Sequence, residues 1–160
     1  MQKDEKKNLQ SSGVILLVED NPDDRVLTEK ALRRNHIRNE IVVAHDGAEA
    51  LDYLFGSGPA PLGGGRRLLP MLVLLDLKLP KVDGLQVLER LRAEERTRWI
   101  PVVVLTSSDE ERDYLESRRL GATSYIRKEV DFVQFTETIR QLWPLWLPGS
   151  LGIPDMDHSA

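Results

Sequence analysis

Apolar residues in this chain of 160 residues come in short solid bursts, separated by stretches with helical spacing. Val14-Ile15-Leu16-Leu17-Val18 is apolar at every position, which predicts a strand covered on both faces, as in a parallel sheet. It stops at Glu19-Asp20-Asn21-Pro22, where Pro22 suits a first helical turn and Asp20 or Asn21 a cap. Val26, Leu27, Ala31 and Leu32 then carry a helix to Asn35. The cycle recurs, with strands over 41–44, 71–75, 100–105 and 123–127. Helices are predicted over 48–55, 84–94, 108–120 and 132–143. Ser108 with Glu111 reads as a capping box, and Pro144 as the stop of the last helix.

Strands that alternate with helices form a parallel sheet with helices on both faces, because crossovers between parallel strands are helical and right-handed. The expected class is therefore α/β, and ligands in such sheets bind beyond the carboxyl ends of the strands. Three stretches fall outside the alternation. Residues 1–12 are almost wholly polar and read as an arm. Residues 56–69 are rich in Gly and Pro and read as an inserted loop. Residues 144–160 form a tail, with Leu145, Trp146, Leu147, Leu151 and Ile153 too apolar for a solvated end. The domain itself is expected over 13–143.

Composition narrows the chemistry. No apolar run approaches the roughly 18 residues of a membrane span, and the polar first 13 residues do not form a secretory signal, so a cytoplasmic location is expected. Cysteine is absent, which excludes disulfides and thiolate chemistry. A net charge of −4 argues against a nucleic-acid partner. What remains is the set of polar residues at the strand ends: Glu19 and Asp20, Asp76, Thr106 and Lys128. Three carboxylates in one cleft repel one another, and a hard divalent ion with oxygen ligands, such as Mg2+, relieves the conflict. A hydroxyl and an ammonium beside that ion suit a phosphoryl group, and a carboxylate can be the nucleophile that accepts it.

These residues, with Pro80 and Gly84 in DLKLPKVDG, resemble the receiver domain of two-component response regulators. Thr106 lies 30 residues after Asp76 and Lys128 22 after Thr106, as in that family, and the likeness covers 14–143. The opening LLVEDNPDD, the loop before the third strand and LGATSYIRKEVDF are similar to single-domain regulators paired with bacterial phytochrome histidine kinases. The resemblance implies a flavodoxin-like (βα)5 doubly wound sheet in strand order 2-1-3-4-5. It implies that Asp76 accepts the phosphoryl group from a kinase phosphohistidine. Mg2+ would be held by Asp20 and Asp76 directly, by Glu19 through water, and by the backbone carbonyl of Lys78. Thr106 and Lys128 would hold phosphoryl oxygens, and Tyr125 would be the switch aromatic that follows Thr106. Output would pass through protein contacts, including a homodimer through the fourth helix, fifth strand and fifth helix and the tail. One departure stands out: Glu129 occupies the place where the family usually has proline, often after a cis bond. A cis bond before a non-proline residue costs about 2.5–4 kcal/mol, so a trans bond is expected. The extra charge of Glu129 is expected to shift metal affinity or the lifetime of the phosphorylated state.

Plainer roles compete at each position. Asp20 alone could merely cap a helix, Lys128 alone could be a solvated lysine, and Asp23 and Asp24 read as first-turn residues favoured by the helix dipole. His36, His45 and His158 have no ligand spacing and read as surface residues. The glycines of 58–66 lack the Lys-Ser/Thr of a phosphate loop. Arg90, Arg92, Arg96 and Arg98 have acidic neighbours and read as a mixed-charge face. The Trp143–Leu147 stretch either covers an apolar groove of its own domain or docks on a partner, with the second favoured. Two other functions remain. A small aspartyl-nucleophile phosphohydrolase would need a second Asp two residues after the nucleophile, where Lys78 stands. A flavodoxin-like cofactor binder would need a Ser/Thr-rich first turn, and EDNPDD is its electrostatic opposite.

Overall fold

The computed structural model describes residues 13–56, 69–107, 110–128 and 131–146. The strands are β1 (Ile15–Val18), β2 (Ile41–Ala44), β3 (Leu72–Leu75), β4 (Val102–Thr106) and β5 (Ser124–Arg127). The helices are α1 (Pro22–Arg34), α2 (Gly47–Phe55), α3 (Gly84–Ala93), α4 (Glu111–Arg119) and α5 (Phe132–Trp146). All strand pairs are parallel, in the order β2-β1-β3-β4-β5. This is the expected doubly wound sheet.

The solid apolar bursts follow from this topology. Successive side chains of a strand point to opposite faces, and here both faces are covered. Ile15 and Leu17 of β1 join Leu72, Leu74, Ala31, Leu32, Phe135 and Ile139 in one core. Leu16 and Val18 join Val73, Leu75, Ala50, Tyr53, Val87 and Leu88 in the other. In register, Val18 stands beside Leu75, so Glu19 and Asp76 leave their strands at the same level.

Local signals set the boundaries. Asn21, not Asp20, caps α1: its Oδ1 accepts the amides of Asp23 and Asp24 at 2.8 and 3.1 Å. Asp83 and Gln86 form a reciprocal capping box at α3. Helix α4 differs from expectation. It starts at Glu111, and the preceding Glu110 stays extended without a side-chain cap bond, so Glu111 is the first helical residue and not the third of a capping box. Ser108 lies outside the described residues.

The last helix also differs. It continues through Pro144 to Trp146. Proline in a helix interior costs about 3 kcal/mol through a lost amide bond and a clash with the carbonyl four residues back. Burial of a tryptophan is worth a similar amount. Trp146 is 1% exposed, packs in the Ile15 core, and donates Nε1–H to Ser124 Oγ at 3.1 Å. Trp146 therefore covers a groove of its own domain, the less favoured of the two expectations, and Leu145 beside it is exposed. Positions 147–160, 1–12 and 57–68 lie outside the described residues, with the arm, the glycine loop and His158.

His36 and His45 are exposed as expected. The arginines are not all a solvated face. Arg92 donates to the carbonyls of Gly121, Arg98 and Ile100 at 3.0, 3.0 and 2.8 Å, tying α3 to the segments that precede β5 and β4. Its guanidinium pKa is lowered by burial. Arg96 donates to Leu54 O at 3.0 Å. Acidic neighbours in sequence did not reveal these backbone acceptors, because carbonyl geometry leaves no mark on composition.

Candidate functional site

The carboxyl ends of β1, β3, β4 and β5 place Glu19, Asp76, Thr106 and Lys128 on one edge of the sheet. Glu19 N donates to Ala44 O at 3.0 Å and Asp76 N to Val18 O at 3.0 Å, so both carboxylates leave from hydrogen-bonded backbone. Lys128 N donates to Thr106 O at 2.8 Å, which extends the β4–β5 pairing by one step.

The loop after β3 is clamped by close backbone contact. A Cβ on Gly84 would lie 2.3 Å from Asp76 O and 2.6 Å from Leu77 Cα. One on Gly47 would lie 1.9 Å from Val82 O. Only glycine permits these approaches. Lys81, in the same loop, has φ 67°, and its Nζ sits 3.4 Å from Asp46 Oδ2. Lys78 N donates to Asp76 Oδ1 at 3.1 Å, which fixes the Asp76 rotamer from within the loop.

The carboxylates of Glu19, Asp20 and Asp76 each offer an oxygen, all within 4.8 Å of one another. Glu19 and Asp76 are 1% and 6% exposed, and Asp20 opens to solvent. Three acidic side chains this close would hold a dication between them, which would neutralise their mutual repulsion. An all-oxygen set with an open side suits a hard dication that keeps several waters. The residues present therefore fit the ion the sequence pointed to.

Lys128 enters the same cluster, its side chain 13% exposed. Nζ lies 2.5 Å from Glu19 Oε1, 2.9 Å from Asp24 Oδ2 and 3.1 Å from Asp76 Oδ2. Burial alone would lower its pKa, but hydrogen bonds to Glu19 and Asp24 outweigh it and raise the value, so the ammonium is permanent. Glu19 is pushed up to about 7 by burial, with Lys128 opposing and the Asp76 charge adding to the rise. Lys128 reaches the cluster although Glu129 follows it; the Lys128–Glu129 bond lies outside the described residues.

Asp24 is the member that the sequence reading missed. Its place in the first turn of α1 suits the helix dipole, yet its carboxylate grips the lysine. No periodicity marks it, because Asp20 lies before the extended cap Asn21, outside the helical repeat, and the lysine is 104 positions away. Thr106 is fully buried at the end of β4. Tyr125 is half-buried on β5 and meets the Tyr114 ring edge-on, centroids 5.2 Å apart. Beside Asp20 opens a cleft of about 700 Å³, lined by Lys78, Pro80, Asp83, Arg112 and Asp113 among others. There Lys78 Nζ pairs with Asp113 Oδ2 at 3.3 Å.

A five-stranded parallel sheet in this order, with an acidic cluster and a lysine at its carboxyl edge, defines a class of phosphoryl-handling α/β domain. The comparisons name it. The family model described as "Response regulator receiver domain" matches residues 15–140, and the chain belongs to that family. The probable methanogenesis regulatory protein FilR2 of Methanothrix harundinacea is 42% identical over 134 residues, 84% of this chain and 83% of that protein. Response regulator Rcp1 of Synechocystis is 34% identical over 84% of this chain and 88% of its own length. The Mn2+-bound structure of Rcp1 matches with a TM-score of 0.73, covering 86% of this chain and 96% of that one. The bacteriophytochrome response regulator AtBRR is 50% identical, with a TM-score of 0.65, over 82% of this chain and 93% of its own. This chain is thus a two-component receiver domain with relatives among phytochrome-associated regulators. Among the described residues no helix is long and apolar enough to cross a membrane.

Proposed function

We propose that the chain is a phosphoacceptor switch in which Asp76 takes a phosphoryl group from a sensor histidine kinase, of the phytochrome type, in the cytoplasm. The observation that carries this reading is the environment of Asp76. One carboxylate oxygen accepts from the loop amide and the other from Lys128, and two further acids stand within bonding reach of a shared cation. In the transfer, an Asp76 oxygen bonds to phosphorus as the P–N bond to the kinase histidine breaks, and the imidazole leaves with its electron pair and takes up a proton. The product is an aspartyl phosphate. Glu19, Asp20, Asp76 and the Lys78 carbonyl would hold Mg2+, which supplies charge neutralisation for the carboxylates and the phosphoryl oxygens. Lys128 pairs with one phosphoryl oxygen, and Thr106 donates its hydroxyl to another. Movement of Thr106 then draws Tyr125 inward and alters the face made by α4, β5 and α5, through which a partner or a second copy reads the state. The protein turns over its own phosphoryl group and no external metabolite. At the position where a hydrolase would need its acid, Lys78 is engaged with Asp113, which speaks against the phosphohydrolase alternative.

The decisive experiment is incubation with acetyl phosphate and Mg2+, followed by intact mass. Wild type is expected to gain one phosphoryl group and Asp76→Asn none. No gain in wild type, or labelling that survives the substitution, overturns the assignment.

A further inference from the structure

The ammonium of Lys128 has three N–H donors and faces three carboxylates. Two of those acids, Glu19 and Asp76, belong to the trio that can share a cation; Asp24 does not. A dication and the ammonium therefore draw on the same two carboxylates. Only the bond to Asp24 lies outside that competition.

Asp24 is built to hold its place. Its amide is bonded to Asn21 Oδ1, and its carbonyl accepts Thr28 Oγ1–H at 2.9 Å, so the first turn of α1 is fixed on both sides of it. A small cavity of about 20 Å³ between α1 and α5 is lined by Asp24, Leu27, Thr28, Lys128 and Phe135, leaving the lysine stem little room to swing. The Asp24 carboxylate is 35% exposed and that of Glu19 1%. Asp24 thus meets the lysine from the open side of the cluster and Glu19 from the closed side.

We infer that Asp24 is a positioning residue for Lys128. It keeps the ammonium beside Asp76 when a cation takes over the charge of Glu19 and Asp76, and it limits how far the ammonium leans on those two acids before the cation arrives. The inference rests on the phosphoacceptor reading above but has its own readout. Without the Asp24 charge, Lys128 binds Glu19 and Asp76 alone, and an incoming cation must displace it from both.

The test is calorimetric titration of Mg2+ into full-length protein: wild type, Asp24→Asn, Asp24→Glu, Lys128→Met, and Lys128→Met with Asp24→Asn. Asp24→Asn is expected to weaken Mg2+ binding about fivefold in the wild-type background, the size of one partly exposed ion pair. In the Lys128→Met background the same change is expected to do less than half as much, and Asp24→Glu to retain most of the wild-type affinity. Lys128→Gln replaces Lys128→Met should circular dichroism show the latter unfolded. Equal losses in both backgrounds would make Asp24 an independent ligand or charge and overturn the inference. So would no loss in wild type, or a wild type that binds no Mg2+. If wild type binds Mg2+ but gains no phosphoryl group from acetyl phosphate, the phosphoacceptor reading fails, while the two-background comparison still decides the role of Asp24.

Discussion

Strands β1 and β5 have the same length and lie in the same sheet, yet their surroundings differ sharply. Every residue of β1 is buried, and it pairs with β2 on one side and β3 on the other. Among the described residues β5 pairs only with β4, and of its own residues Ile126 alone is buried. The chemistry follows the difference. Glu19 and Asp76 stand at the ends of central strands, where close packing fixes a side chain and low exposure strengthens its electrostatics. Lys128 and Tyr125 stand at the edge, where fewer contacts hold the backbone and local opening costs less. The division suits the proposed switch, in which a carboxylate is kept still and a reporting surface moves.

The edge is not loose on both faces. On the α5 side, Trp146, Phe135 and Ile139 press on Ile126, and Trp146 is bonded to Ser124 of β5. On the α4 side stand Tyr125 and the exposed Tyr114 and Leu115. Trp146→Ala should therefore break the contrast most strongly, by freeing β5 on its held face. The expected cost is about 3–5 kcal/mol in urea unfolding, with faster amide exchange in β5 than in β1. A loss under 1 kcal/mol would mean that Trp146 does not hold the edge.

The centre can be probed through Glu19. Its pKa stands at about 7, above the ordinary 4.5, because burial disfavours its charge. Between those values the folded protein holds more protons than the unfolded chain. This contribution to stability is complete below pH 4.5 and is lost as pH rises through 7. With metal chelated, the Glu19 part of that decline approaches about 3 kcal/mol, at 1.4 kcal/mol per pH unit. Comparing wild type with Glu19→Gln by urea unfolding at pH 5 and pH 8 isolates it, since Gln carries no titrating group. Parallel declines in both proteins would place the titration elsewhere.

The same division explains what the sequence disclosed. Central strands buried on both faces must be apolar throughout, so 14–18 and 71–75 announced themselves, and the polar residue ending each burst marked the site. Glu19, Asp20 and Asp76 were legible for that reason, and Lys128 through its spacing of 22 residues from Thr106. Three features were not. Pro144 spoke for a helix stop, but burial of Trp146 two residues on outweighs the proline, and local propensity does not contain that tertiary term. The start of α4 depended on the extended backbone of Glu110. Asp24 looked like a dipole residue because its partner lies 104 positions away at Lys128. The misses at Pro144 and Asp24 are contacts between segments distant in sequence, decided by packing and not by pattern.

The smallest expected effect sharpens the comparison at the edge. Tyr114 and Tyr125 meet edge-on at 5.2 Å, a geometry in which the positive rim of one ring faces the negative face of the other. Such a pair contributes about 0.5–1.5 kcal/mol beyond its buried area. It links α4 to β5 across the less covered face. A double-mutant cycle with Tyr114→Leu and Tyr125→Leu, read by urea unfolding, should return a coupling of about 1 kcal/mol without phosphorylation. If Tyr125 turns inward when Asp76 is loaded, the rings part, and the coupling should fall toward zero in protein held with beryllofluoride and Mg2+. A coupling that is unchanged by that treatment would leave Tyr125 as an ordinary edge-strand aromatic and remove it from the switch, while leaving the chemistry at Asp76 untouched.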